Sequence, residues 1–183
     1  RAEDARTAIA LGVDAIGLVF VPQSRRCVDL AQAREVLAAV SPLVSVIGLF
    51  MDAAATEVCE VLDALPLDAL QFHGRESPDF CRQFNRPYVK ALAMGDAVDV
   101  VPTASSYAHA RGVLLDAHRS GEQGGSGLSF DWSLIPPSLA DRIVLAGGLT
   151  PENVAAAITQ VRPYAVDVSS GIESAPGIKC PRR

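Results

Sequence analysis

Residues Arg142–Ile158 read RIVLAGGLTPENVAAAI. A short apolar run stops at Gly147-Gly148. Thr150-Pro151-Glu152 then has the form of a helix start: a capping hydroxyl, a proline at the first helical position and an acid near the positive end. Val154, Ala157, Ile158 and Val161 follow at helical spacing and are expected to face inward. The order is strand, glycine turn, helix.

That order recurs. Short apolar-rich runs lie at Asp14–Phe20, Val44–Phe50, Asp68–His73, Tyr88–Leu92, Gly112–Ala117, Arg142–Gly148 and Tyr164–Ser170. Several are nearly continuous hydrophobic stretches, as in parallel strands covered on both faces. Asp29 can cap a helix whose inner face is Ala33, Val36, Leu37 and Val40, and Val58, Val61, Leu62 and Leu65 repeat the helical spacing. Gly12 fits the end of a first helix over about Ala2–Leu11.

A strand–helix unit of roughly 20–25 residues fits a (β/α) barrel or a doubly wound open sheet. Two observations favour the barrel. No dinucleotide fingerprint opens the first strand–helix turn, and the glycine-rich signals follow the late strands. The expectation is an α/β chain forming a single barrel domain over residues 1–183. It begins with a helix and ends just after a strand, so an eight-unit barrel would lack its first strand and last helix. Such an open seam exposes strand edges, and the 183-residue chain alone is expected to be poorly stable or to associate.

Composition removes several classes. The net charge is -5 with no block of like charge, which argues against a sequence-independent nucleic-acid binder. No apolar run reaches the roughly 18 residues of a membrane helix, and no signal peptide is visible. Cys27, Cys59, Cys81 and Cys180 form no close pair and have no histidine at ligand spacing. They read as free thiols in a reducing cytoplasm, with Cys59 and Cys81 as small buried hydrophobes.

The residues able to carry chemistry sit at strand ends, where barrels of this kind place their active sites. Gly147 and Gly148 end one late strand, and Ser169 and Ser170 end the next. Glycine lets the backbone approach a ligand, and the N–H groups and hydroxyls suit a phosphate; ordinary turn chemistry is the alternative. Asp167 lies in an otherwise apolar run, either as a structural ion pair or as a substrate contact. Asp116 closes GVLLD, as a general acid or base or as an anchor for its own loop. Arg26, after the first run, has the planar fork that suits a carboxylate or phosphate, or is a solvated loop arginine. His73 ends QFH, as a ligand contact or a satisfied loop histidine. The glycine-rich loop after Asp116, HRSGEQGGSG (118–127), reads by itself as a generic flexible connector.

Together the stretches GLVFVPQSRRCV, LPLDALQFHGRESPDFC, VLLDA, GGSGLSFDWSLIP, LAGGLTPENVAAAI and VRPYAVDVSSGIESAPGIK resemble the phosphoribosylanthranilate isomerases of tryptophan biosynthesis, in the family's order and over almost the whole chain. The resemblance implies a (β/α)8 barrel. It implies an Amadori rearrangement of N-(5-phosphoribosyl)anthranilate to 1-(o-carboxyphenylamino)-1-deoxyribulose 5-phosphate, without cofactor or metal. By it, Asp116 matches the general acid that protonates the furanose ring oxygen, its pKa expected to be raised by the barrel mouth and a nearby phosphate. Arg26 matches the arginine that recognises the anthranilate carboxylate. Gly147, Gly148, Ser169 and Ser170 match the phosphate loops, and His73 and Asp167 match polar substrate-side positions. A cytoplasmic enzyme acting on a small molecule, with no nucleic-acid or membrane partner, is implied. Fusion to or association with another enzyme of the pathway stays open.

The sequence also departs from the family pattern. Ser24-Arg25-Arg26 stands for the usual Ser-Pro-Arg, Leu128 for the usual lysine, and Cys180 where an acid is common. The family's general base is a cysteine in a Lys-Ile-Cys-Gly stretch that would precede Arg1, and none of the four cysteines present sits in that motif. Two alternatives remain. One is another enzyme on a phosphate-binding barrel, such as the histidine-pathway isomerase or a lysine-dependent synthase, for which Lys90 is the strand lysine. The other is a non-catalytic or truncated phosphosugar-binding barrel.

Overall fold

The computed structural model describes residues 1–96, 99–117 and 130–183. Helix α1 (Ala2–Ala10) ends as Gly12 requires. Gly12 has φ +87°. Its N–H donates to the Ile9 carbonyl at 3.0 Å and that of Val13 to Ala8 at 3.4 Å. This paired closure satisfies the last carbonyls of the helix and uses a backbone angle that glycine adopts without strain. Helix α2 (Leu30–Leu37) begins at Asp29, whose carboxylate accepts the Gln32 N–H at 2.8 Å. The Gln32 side chain accepts the Asp29 N–H at 3.0 Å. Such reciprocal caps contribute about 1 kcal/mol.

The described chain forms two compact units. The first, Arg1–Tyr88 with Ser174–Arg182, holds α1, α2, helices α3 (Ala55–Ala64) and α4 (Pro78–Arg82), and strands β1 (Ala15–Val19), β2 (Ser45–Phe50) and β3 (Ala69–Phe72). β1 pairs in parallel with β2, and β2 with β3. Phe72 is fully buried and centres an aromatic cluster, its ring centroid 5.9 Å from Phe80, 5.8 Å from Phe84 and 6.0 Å from Tyr88.

The second unit, Val89–Glu173 with Arg183, holds most of strand β4 (Tyr88–Ala93), then helix α5 (Val100–Ser106), strands β5 (Gly112–Asp116) and β6 (Ile143–Leu145), helix α6 (Val154–Val161) and strand β7 (Ala165–Val166). These strands also pair in parallel and in chain order. Alternation along each strand divides the side chains. Leu92, Val113, Leu115, Ile143 and Leu145 pack with Val100, Ala104, Ala157 and Val161 of the helices. Ala91, Leu114 and Ala146 cluster on the other face. A hairpin, β8 (Glu173–Ala175) and β9 (Ile178–Lys179), turns through Pro176 and Gly177, the latter at φ +80°. Proline followed by a positive-φ glycine is the chemistry of a type II turn.

All seven expected strands are present in chain order, but the last two are shorter than the apolar runs that announced them. β6 stops at Leu145 because Gly147 and Gly148 have φ +79° and +64°, which extended backbone does not tolerate. β7 stops at Val166, so Asp167 lies outside the strand and is exposed rather than buried. The Asp167 N–H still donates to the Leu145 carbonyl at 2.9 Å, so backbone pairing outlasts side-chain burial.

Other expectations shift locally. The α-helical residues of α6 start at Val154, three positions after the Pro151 expected to begin them. Pro151–Asn153 form a turn whose Val154 N–H already donates to the Thr150 carbonyl at 3.0 Å. Ile158 is 45% exposed, because only Ala157 and Val161 of this helix reach the core. Cys59 is exposed, being one position round the helix from the buried Val58, whereas Cys81 is fully buried. Among the described residues no helix is long and apolar enough to cross a membrane.

Candidate active site

Asp116 ends β5, where its register partner is Ala93 of β4. Alternation puts it on the same face as Leu114 and Ala91, away from the helices. It is 6% exposed. The strand beside it turns at Gly147, and this approach is close. A Cβ on Gly147 would lie 3.1 Å from Asp116 Oδ1 and collide with the Ala117 backbone nitrogen. The carboxylate is thus held against bare backbone at the C-terminal end of the sheet.

One residue further on, Gly148 enters a cavity of about 330 Å³ lined also by Leu149, Thr150, Glu152, Ser170, Gly171 and Arg183. Two loops form it, one after β6 and one after β7. They touch at Gly171, where a Cβ would collide with the Leu149 carbonyl oxygen and lie 3.0 Å from Thr150 Cα. Asn153 braces the first loop. Its amide donates to the Gly148 carbonyl at 2.9 Å, and its side-chain oxygen accepts the Thr150 N–H at 2.8 Å. The Thr150 hydroxyl and the residue's own N–H hold the Glu152 carboxyl below its usual range, with help from the Arg183 charge. Backbone from glycines, two hydroxyls and one guanidinium give this cavity the donors that a phosphate needs.

Of the expected phosphate-loop residues, Gly148 and Ser170 line this cavity. Gly147 sits instead against Asp116, and the half-buried Ser169 is outside the lining. Thr150 and Arg183 line it without a ligand-binding signal in the sequence. As a sequence feature Thr150 is a helix cap, and Gly171 is the glycine that closes the Ser169-Ser170-Gly171 phosphate loop. Lys90, the strand lysine, is 2% exposed and one register step from the Asp116 face. Its Nζ donates to the Ala91 carbonyl at 2.9 Å and lies 5.7 Å from the Tyr107 ring centroid. It therefore faces the helix side of the sheet. The glycine loop at 118–127 and Leu128 lie outside the described residues.

In the first unit, Arg26 is half-buried in the loop after β1, its N–H donating to Ser24 Oγ at 3.1 Å. His73 follows β3 and is 8% exposed. Its N–H donates to the Phe50 carbonyl at 2.8 Å, and its Nδ1 lies 3.1 Å from Gln71 Nε2. Among the described residues no group of three His, Cys, Asp or Glu is placed to hold a metal ion.

Residues 1–182 match the family model described as N-(5'phosphoribosyl)anthranilate (PRA) isomerase. The chain belongs to the phosphoribosylanthranilate isomerase family. Among the similar curated proteins, N-(5'-phosphoribosyl)anthranilate isomerase of Pseudomonas fluorescens strain SBW25 is 55% identical over 98% of this chain and 85% of its own length. The Nitrosococcus oceani protein of that name is 51% identical over 98% of this chain and 87% of its own. The phosphoribosyl anthranilate isomerase structure from Thermotoga maritima is 38% identical, with a TM-score of 0.88, and covers the whole chain and 89% of that one. A second family structure, in complex with reduced 1-(o-carboxyphenylamino)-1-deoxyribulose 5-phosphate, is 36% identical with a TM-score of 0.82, over 100% of this chain and 89% of that one. The fold class is α/β, of the (β/α)8-barrel type these isomerases share.

Proposed function

We propose that this chain catalyses the aldose–ketose Amadori rearrangement of N-(5'-phosphoribosyl)anthranilate to 1-(o-carboxyphenylamino)-1-deoxyribulose 5-phosphate in tryptophan biosynthesis. Family membership over residues 1–182 supports the reaction class. The observation that carries the residue assignment is the buried Asp116 carboxylate held against Gly147, one residue from the glycine-lined cavity.

In this reading the substrate phosphate lies against the backbone of Gly148 and Gly171 and the Ser170 hydroxyl. Gly147 and Ser169 shape the two loops. Asp116 is the general acid. It gives its proton to the furanose ring oxygen as the C1–O bond breaks, and the anilino nitrogen lone pair forms the C1=N bond. Loss of the C2 proton then gives the enolamine, which tautomerises to the ketose. No cysteine of this sequence is assigned as the base for that second step. Arg26 takes the anthranilate carboxylate, and His73 and Asp167 are polar contacts on the substrate side. The four free thiols support a cytoplasmic enzyme. Fusion to or association with another enzyme of the pathway belongs to the same proposal.

The test is the decay of phosphoribosylanthranilate fluorescence. Decay that is lost in an Asp116→Asn variant supports the reading. No decay, with thermal stabilisation by the substrate retained, replaces it with a phosphosugar-binding barrel.

A further inference from the structure

Glu76 is 6% exposed, and the reaction just described does not use it. Its carboxylate is occupied by backbone. Oε1 accepts the Asp52 N–H at 2.8 Å and the Gly74 N–H at 3.2 Å, and Oε2 accepts the Gly74 N–H at 2.9 Å. Asp52 lies in the loop after β2 and Gly74 in the loop after β3. Asp52 answers from the other side: its Oδ1 accepts the Arg75 N–H at 2.7 Å, and its Oδ2 is 3.6 Å from Arg75 Nε. The two loops are in backbone contact, since a Cβ on Gly74 would lie 2.5 Å from Asp52 Oδ1 and 2.7 Å from Asp52 N. Asp52 holds φ +51°, in the left-handed region that aspartate enters more readily than most residues.

His73 is bonded covalently into this clamp. It precedes Gly74, and its own N–H donates to Phe50 of β2. We infer that Glu76 is a positioning residue for His73: it ties the loop after β3 to the loop after β2 and so fixes where the imidazole is presented. Its catalytic consequence rests on the reading of His73 as a substrate-side residue. A carboxylate suits the task because one rigid group accepts N–H donors from both loops, with charge-assisted bonds stronger than neutral ones.

The test compares Glu76→Ala and Glu76→Gln in the full chain by three readouts: thermal melt, KM against kcat, and the ring resonances of isotope-labelled histidine. The chain has only three histidines, so a His73→Gln variant assigns the His73 signals. Glu76→Ala is expected to shift the His73 ring signals and to raise KM about tenfold with kcat changed much less. Glu76→Gln, whose amide oxygen can still accept both N–H groups, is expected to retain the native signals and KM. If Glu76→Ala does not fold, Glu76→Asp, one methylene short of the clamp, is read in its place. A folded Ala or Asp variant with unmoved His73 signals overturns the inference. Shifted signals with an unchanged KM uphold the positioning and remove His73 from the substrate side.

Discussion

Gly147 and Asp116 are fitted to one another: the position a Cβ would take on Gly147 lies 3.1 Å from Asp116 Oδ1. The glycine therefore does two things. It supplies φ +79°, which ends β6, and it leaves room for the carboxylate at the end of β5. Gly147→Ala is expected to destabilise the protein by about 1–3 kcal/mol, the range for a side chain forced into a left-handed angle with a backbone clash. Activity should fall further than stability accounts for, because the backbone that must move, at Ala117, is bonded to Asp116, whose Oδ1 is itself crowded. Calorimetry and kcat, measured together, check this.

Asp116→Asn keeps the shape of the side chain and removes the proton. Turnover should drop by about 10²–10⁴, the span of a positioned general acid. Affinity for the reduced ketose phosphate analogue should change little. Stopped-flow fluorescence and a binding titration separate the two. Equal losses in both would make Asp116 a binding group instead.

Glu152 sets a charge at the edge of the cavity. Its carboxyl is held below the usual range by Thr150, its own N–H and Arg183, so it stays ionised below the pH at which an ordinary glutamate protonates. A depressed folded pKa contributes stability above the unfolded value, and that contribution is lost as pH falls through the folded one. Glu152→Gln should remove it, flattening the acid side of the stability curve. The same change removes a repulsion, so inorganic phosphate should bind a few-fold more tightly at pH 7. Denaturation at pH 7 and pH 4, with a phosphate titration, tests both.

The thiols should react in a definite order. Cys59 and Cys27 are exposed and Cys81 is buried. Partial desolvation of its sulfur and the nearby Asp29 push the Cys27 thiol up even though the residue is exposed overall, so less of it is thiolate at neutral pH. Under native conditions Cys59 should label faster than Cys27, and Cys81 only after unfolding. Mass spectrometry of timed alkylation reads the order.

Much of this was legible in the residues, for reasons that differ from place to place. The strands announced themselves because parallel strands buried on both faces are apolar along their length, as in GVLLD. Asp29 and Gly12 were readable because caps depend on neighbours in sequence. Asp116 stood out as an acid closing such a strand. Asp167 misled, because an apolar run does not reveal where pairing and burial end. Ile158 misled for a related reason, since α6 reaches the core through a stripe narrower than its composition. The clamp at Glu76 left no signal: GRES reads as a charged loop, and only the fold brings Asp52 beneath it. Arg183 at the cavity was hidden in the same way, because a close approach between distant parts of the chain has no spacing rule.

From Ser174 onward the hairpin of β8 and β9 lies far along the chain yet belongs to the unit that holds Arg1–Tyr88. The Lys179 N–H reaches Asp4 at 3.5 Å across 175 positions, and Gly177 stands over the Arg25 carbonyl. A ribosome makes Asp4 175 positions before Lys179. At roughly 5–20 residues per second, the early unit waits many seconds for the strip that completes it. Until then the early unit lacks the partners that Asp4 and the Arg25 carbonyl meet in the finished fold.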